Sequence, residues 1–537
     1  MLVSLSDLHL QDIESQDDPD TRSDQNVHHK AFIDFLQWIS EEYLDKCKDK
    51  PEIKEIKIVL NGDIIDFLRT ERWFNIKDRP YEDHHGKDIP WEDPTKFPEL
   101  DPKVDNILLE IFNVVTGLKY GAAYSNAPNV ETIKALAALR RFKREVNREG
   151  EPYPCEKFEE FNKEYTEKLT AWVEKLIRKQ VNIQYVFIPG NHDRLINVSS
   201  RLNAAFRDFF LIENSQKNYS AERFPWELHV KEYGVFLRHG HIYDWTNGEE
   251  NIVFQRKDAK KIDYSFVWQK GIDKDYKDSK LYYNTPIGDL ITIDLISYMP
   301  WFFINEYYKK RENPSDLILA CKRLREIDDI RPTLAVLPWL YELTKNPGIK
   351  LNWKDIEETV NSALDNTFFR DEGTAQGKFF RRWDSAHDRL FFDKSDIFEN
   401  GMPWARKLLK APSKFFQKVY TLTEKYMVGG QENPVPELIR KYNKGYKHPF
   451  MNSPQEYYVA GHIHSSSTHF LEERKVYHCT GAWRTIHSRC LYKPEFKKMK
   501  SMNFIYFFRP GERKDVGGKV YIWRGLLEEQ EEEQKKA

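Results

Sequence analysis

The stretch "IKIVLNGDIIDF", residues 56–67, decides how this chain is read, because a short apolar run passes directly into a glycine and two aspartates. Such a run, closed by a turn residue, reads as a buried β-strand. Gly62 permits a tight strand-to-loop turn, which leaves Asp63 and Asp66 at the strand's carboxyl end. Taken alone this is a capped turn, but the same layout recurs along the chain. "MLVSLS" (1–6) is followed by Asp7-Leu8-His9, and "IQYVFI" (183–188) by Pro189-Gly190-Asn191-His192-Asp193-Arg194. "YGVFLR" (233–238) runs into His239-Gly240-His241, and "YYVA" (457–460) into Gly461-His462-Ile463-His464. Five strand ends carry metal-ligand residue types. In open α/β sheets ligands bind in the crevice outside the carboxyl ends of the strands, so residues this far apart in sequence can converge there.

Two further runs, "KVYHCT" (475–480) and "MNFIYFF" (502–508), also read as strands. Ala31, Phe32, Phe35, Leu36, Ile39, Tyr43 and Leu44 fall on one face of a helix. Strands alternating with helices predict an α/β sheet. Two long segments break the rhythm and read as insertions. Residues 69–155 include the basic helix-prone stretch "ETIKALAALRRFKREVNRE" (131–149), and residues 245–450 are mostly helical in pattern and rich in aromatics. The expected division is a core of 1–68, 156–244 and 451–527, insertions at 69–155 and 245–450, and a solvated charged tail at 528–537.

Composition limits the function classes. A content of 40% hydrophobic residues is enough to build cores, so wholesale disorder is excluded. Lys plus Arg total 83 against 85 Asp plus Glu, so nothing in the overall charge favours bulk binding of a polyanion. Five cysteines (Cys47, Cys155, Cys321, Cys479, Cys490) are scattered without C-x-x-C spacing, so neither a disulfide framework nor a zinc knuckle is read. "LISYMPWFFINEYY" (295–308) contains Pro300 and is too short to span a bilayer. With no basic flank or long apolar stretch at the start, cytoplasmic placement is the expectation.

Carboxylate oxygen together with imidazole nitrogen suits first-row divalent ions such as Mn, Fe or Zn. A shared carboxylate can bridge two ions about 3.5–4 Å apart, the spacing that clamps the attacking and leaving oxygens of a phosphoryl displacement. At this point the order D-x-H, G-D-x-x-D, G-N-H-D, H-G-H, G-H-x-H resembles the calcineurin-like metallophosphoesterase family. The resemblance implies an α/β, four-layer αββα sandwich, with the insertions forming a mainly helical cap, and two divalent ions, Mn first, with Fe or Zn as alternatives. It implies that Asp7, His9, Asp63 and His464 hold one ion, with Asp63 bridging, and that Asn191, His239 and His462 complete the other. It implies hydrolysis of a phosphate mono- or diester or a pyrophosphate by a metal-bridging hydroxide, with His192 as general acid or charge stabiliser and Asp193 fixing its tautomer.

Other roles stay open. Asp66 either orients a ligand histidine or is a surface carboxylate; Arg194 either contacts phosphate or closes an ion pair; His241 either touches substrate or lines its turn. "TGAWR" (480–484) is expected to pack. The wording around Asp7 and Asp63 is weakly similar to UDP-2,3-diacylglucosamine pyrophosphohydrolases, which makes a phosphorylated small or amphiphilic molecule the expected substrate. A nuclease is the alternative, resting on Arg140, Arg141, Lys143, Arg144 and Arg148. A metal-free scaffold is disfavoured, since every ligand position carries a competent residue. Oligomeric state is not readable.

Overall fold

The computed structural model describes residues 1–12, 29–39, 53–76, 100–118, 178–210, 223–243, 286–310, 314–331, 335–367, 449–472, 474–490, 495–512 and 520–528, with isolated positions between them. The basic stretch and the charged tail read from the sequence lie largely outside these residues, as does most of 69–155.

The apolar runs are strands: β1 (Leu2–Leu5), β2 (Glu55–Asn61), β3 (Asn182–Ile188), β5 (Val235–Arg238), β7 (Tyr457–Ala460), β9 (Lys475–Cys479) and β11 (Phe496–Phe507). Five more were not read from sequence: β4 (Glu227–Val230), β6 (Ile330–Arg331), β8 (Ser467–Glu472), β10 (Arg484–Arg489) and β12 (Val520–Glu528). The chain is an α/β protein with two mixed sheets. One runs β3-β2-β1-β11-β10-β6, with β12 also on β11, and the other runs β4-β5-β7-β9-β8.

The period-two alternation of side chains assigns each strand's residues to two apolar layers. In β2, Ile56, Ile58 and Leu60 join one cluster and Val59 another; in β3, Tyr185 and Phe187 join the first and Ile188 the second. That second cluster also takes Leu228, Val235, Leu237 and Val459 from the five-stranded sheet, so the two sheets share one apolar layer. Phe236, Tyr458 and Tyr477 face the opposite side of that sheet. Strands buried on both faces read as unbroken apolar runs, which is why these were visible. Helices His29–Ile39, Pro102–Thr116 and Ser200–Phe210 supply Phe32, Phe112 and Phe206 to the largest cluster. Each such buried side chain contributes about 1.5–3 kcal/mol.

From the 245–450 segment, Leu290, Phe303, Trp339 and Ile356 join the largest cluster, while Val435, Ile439 and Phe450 pack with Phe236 and Tyr458 on the outer face of the five-stranded sheet. Residues 287–308 are helical, including two π-helical segments, and Met299 and Phe303 are buried while Trp301 packs on Phe74. The segment is not purely helical, because β6 pairs parallel to β10 at His487↔Ile330 and Ser488↔Arg331. Among the described residues no helix is long and apolar enough to cross a membrane, and Cys321, Cys479 and Cys490 take part in no disulfide.

One feature of the sheet positions the site. β1 pairs antiparallel with residues 505–507 of β11 and β10 with 496–501, while β12 takes the other edge along 499–507. β1 and β10 therefore lie end to end along one edge of β11. The gap between them is where the chain leaves β1 at Asp7, and there the Trp483 amide donates to the Asp7 carbonyl at 3.1 Å.

Candidate metal centre

The five strand-end loops meet at this gap. The Asp7 amide donates to Gly62 O at 3.1 Å and the His9 amide to Asp63 O at 2.8 Å, which ties the first two loops together. From the other sheet, the Gly461 amide donates to His239 O at 2.8 Å. The sheets are joined across the site by the His462 amide, 3.0 Å from Asp7 Oδ1, and by His239 Nδ1, 2.8 Å from Asn61 O. A glycine is required where the loops cross: a Cβ on Gly190 would lie 2.7 Å from the Asp63 amide nitrogen and strike its carboxylate, and one on Gly461 would strike Asp7 and Ser6.

All seven ligand candidates come together. His9 Nε2 lies 3.0 Å from His464 Nε2, 4.0 Å from Asp7 Oδ1 and 3.6 Å from Asp63 Oδ2; His464 Nε2 is 3.5 Å from Asp7 Oδ1. Asp63 Oδ2 is also 3.1 Å from His239 Nε2, so one carboxylate is shared by both halves of the cluster. His462 Nδ1 is 3.2 Å from Asn191 Oδ1. Donor atoms of Asp7, His9 and His464, of His9, Asp63 and His192, and of Asp63, His239 and His462 form three groups able to hold a metal ion. His192 in such a group was not anticipated.

The backbone is strained at the same residues. Of the six non-glycine described residues with left-handed φ, five are ligand candidates: Asp7 (56°), His9 (46°), Asp63 (55°), His462 (70°) and His464 (58°). Such conformations cost roughly 1–3 kcal/mol each and persist where the surroundings impose them, commonly at functional sites.

The electrostatics suit a cation. Burial, with Arg69 next, holds His9 well below the usual imidazole range; burial and Arg331 do the same to His464, so both rings keep a lone pair. Burial works against ionised Asp63, yet His239, His192 and His9 keep its carboxyl well below the carboxylate range. Burial pushes Asp7 up to about 6, the Asp63 charge adding to it while His239 opposes it. Burial likewise disfavours the His239 imidazolium, but Asp63 overrides it and the ring is pushed up to about 10. A proton on His239 thus stands in the position where a metal would supply the positive charge. Hard oxygen and borderline nitrogen donors, buried and pointing at one another, fit a divalent cation.

The remaining residues separate. Asp66 is buried and bridges two rings, with Oδ2 3.0 Å from His9 Nδ1 and Oδ1 2.9 Å from His192 Nδ1. Asp193, expected to fix the His192 tautomer, instead accepts from the Gly190 amide at 2.6 Å and the Ile64 amide at 2.8 Å, and burial pushes it up to about 7. Adjacent residues on this turn aim in different directions, so the carboxylate beside His192 comes from the second loop. Arg194 is buried in an ion pair with Asp289. His241 is buried against Trp226, its ring centroid 5.5 Å from that of His239, with Nδ1 lacking a hydrogen-bond partner among the described residues. Trp483 packs on Phe32, Phe35 and Phe504 as expected of "TGAWR", but Arg484 does more, pairing with Asp329 at 2.5 Å.

Sequence reasoning missed Ser6, whose hydroxyl donates to Asp7 Oδ2, and the guanidinia of Arg69 and Arg331. Arg69 lies three residues after Asp66, a spacing that offers a signal; nothing local marks Arg331. Comparison with known proteins finds no matching family model, no similar curated protein and no similar solved structure.

Proposed function

We propose that this chain is a metal-dependent phosphoesterase of the calcineurin-like type, hydrolysing a phosphate mono- or diester or a pyrophosphate bond with two divalent ions. The observation that carries this reading is the convergence of five strand-end loops, with Asp63 shared between His9 and His239 and five ligand candidates held at left-handed φ. The apolar layer common to both sheets, with helices outside one of them, supports a four-layer αββα sandwich.

Asp7, His9, Asp63 and His464 would hold one ion and Asp63, Asn191, His239 and His462 the other. When bound, the ions supply Lewis-acid charge and an activated water. The chain's own residues do the rest. Asp66 accepts from His9 and from His192, which fixes the first ring as a ligand through Nε2 and leaves Nε2 of the second for the leaving oxygen. Asp193 holds the turn that carries Asn191 and His192 by binding two of its neighbouring amides. Asp289 and Arg331, both from the 245–450 segment, reach Arg194 and His464, which supports that segment as the cap that selects a phosphorylated small or amphiphilic substrate. Mn is the metal of first choice.

The test is metal analysis of the purified protein, then hydrolysis of bis-p-nitrophenyl phosphate and of the monoester with Mn²⁺ supplied. The reading expects bound metal and turnover of at least one ester, with the His192→Ala variant keeping its metals while losing roughly 10²–10⁴-fold in rate. Absence of both metal and turnover would sink it.

A further inference from the structure

The 245–450 segment delivers a cation to the ligand cluster. Strand β6 places Arg331 beside β10, and its Nη2 lies 2.7 Å from His464 Nδ1. Nη1 donates to the carbonyls of Asp328 at 2.6 Å and Ile330 at 3.0 Å. Among the described residues Arg331 makes no ion pair.

A guanidinium can only donate, so His464 Nδ1 is the acceptor of this bond, and the neutral ring then carries its hydrogen on Nε2. Yet Nε2 is the atom that faces His9 Nε2 at 3.0 Å and Asp7 Oδ1 at 3.5 Å. An imidazole that ligates through Nε2 has its hydrogen on Nδ1, where it meets another donor in Arg331. The Arg331–His464 hydrogen bond and ligation by His464 exclude each other. When a metal is taken up, Nη2 must find another acceptor.

The surroundings state what kind. Arg69 and Arg484 are both buried on this side, Arg69 with Nε 3.2 Å from Asp66 Oδ2 and an Nη1 without a hydrogen-bond partner among the described residues. Arg69, Arg331 and Arg484 interact electrostatically with one another and with His464, and while Arg69 pairs with Asp328 and Arg484 with Asp329, Arg331 meets His464 and two backbone carbonyls. Burial lowers Arg331 to about 10, which leaves it charged at neutral pH.

We propose that Arg331 is a substrate-binding residue that turns from His464 to an oxygen of the substrate's phosphate when the first metal site fills, which couples metal binding to anion binding. This rests on the phosphoesterase reading, and it adds that a residue of the inserted segment binds the anion. Coupling of this kind is reciprocal: Mn²⁺ strengthens phosphate binding by the same factor as phosphate strengthens Mn²⁺ binding.

The experiment titrates Mn²⁺ into metal-free wild type, Arg331→Gln and Arg331→Lys by calorimetry, and measures competitive inhibition by inorganic phosphate on the loaded proteins. The Gln carboxamide can accept from His464 Nδ1, so Arg331→Gln is expected to bind the first Mn²⁺ about 10-fold more tightly, and phosphate about 10-fold more weakly, than wild type. Arg331→Lys keeps the charge and should fall between the two on phosphate, which separates loss of the contact from loss of the fold. If wild type binds Mn²⁺ and turns over ester while both variants match it in Mn²⁺ affinity and phosphate inhibition, the role of Arg331 falls and the phosphoesterase reading stands. If wild type takes up no Mn²⁺, both fall.

Discussion

Asp66 lies between two histidines, its Oδ1 2.9 Å from Nδ1 of His192 and its other oxygen 3.0 Å from Nδ1 of His9. One buried carboxylate therefore orients both rings, which in the proposed function are a metal ligand and the group facing the leaving oxygen. Burial works against its charge, but His192 and Arg69 hold it well below the carboxylate range, so it is an acceptor throughout the working pH range. Asp66→Asn keeps the shape but offers one oxygen in place of two, so one ring loses its acceptor. Mn²⁺ affinity should fall 10–100-fold and kcat should fall further. Calorimetric titration and steady-state rates read the two separately, and a variant with normal metal affinity and rate would remove Asp66 from the centre.

His239 and Asp63, 3.1 Å apart, set a pH dependence. The His239 pKa is raised from 6.5 to about 10, so in the metal-free protein the pair's stabilisation is full below 6.5 and lost as pH rises through about 10. Metal needs the lone pair that the proton occupies, so its binding runs the other way and tightens as pH rises across the same window. The rise in Tm on adding Mn²⁺ should be larger at pH 8.5 than at pH 6.5, and binding at pH 7.5 should release about one proton at this site. Calorimetry in buffers of different ionisation enthalpy counts that proton; a count of zero would place a neutral His239 in the metal-free site.

Gly461 is a steric requirement of the same region. Its backbone runs against Asp7 and Ser6, and a Cβ would lie 2.8 Å from Ser6 Cβ as well as striking the Asp7 carboxylate. Overpacking of this sort costs about 1–3 kcal/mol. Gly461→Ala is expected to fold with a lowered Tm and to lose at least about 10-fold in Mn²⁺ affinity, since 1.4 kcal/mol is a factor of ten. Unchanged Mn²⁺ affinity would mean that Asp7 is not a ligand.

What the sequence disclosed and what it hid follow from the sheets. Strands such as Glu55–Asn61 and Asn182–Ile188 are covered on both faces, so their apolar runs and the loaded loops after them stand out. Arg484–Arg489 holds a single apolar residue, Ile486, and Ile330–Arg331 is two residues long, so neither has a readable pattern. Arg331 reaches His464 only through a pairing with β10 that no local sequence encodes. Asp193 misled for a related reason: adjacency to His192 suggested a partnership, whereas the turn sends that carboxylate back onto amides of Gly190 and Ile64.

Arg194 and Asp289 decide whether the remaining substrate-contact expectation survives. Both side chains are buried, 6% and 1% exposed, and burial pushes the Asp289 carboxyl up against the pull of Arg194. Removing one partner of such a pair leaves an uncompensated buried charge and costs about 3–5 kcal/mol, while replacing both with apolar residues of similar size is often neutral. Asp289→Asn should therefore unfold at markedly lower denaturant concentration, and the double variant Arg194→Met with Asp289→Leu should recover close to wild-type stability. That double variant isolates function from fold. If Arg194 also reaches substrate, KM for the ester rises in the stable double variant with metal content unchanged; an unaltered KM would assign the arginine to the ion pair alone.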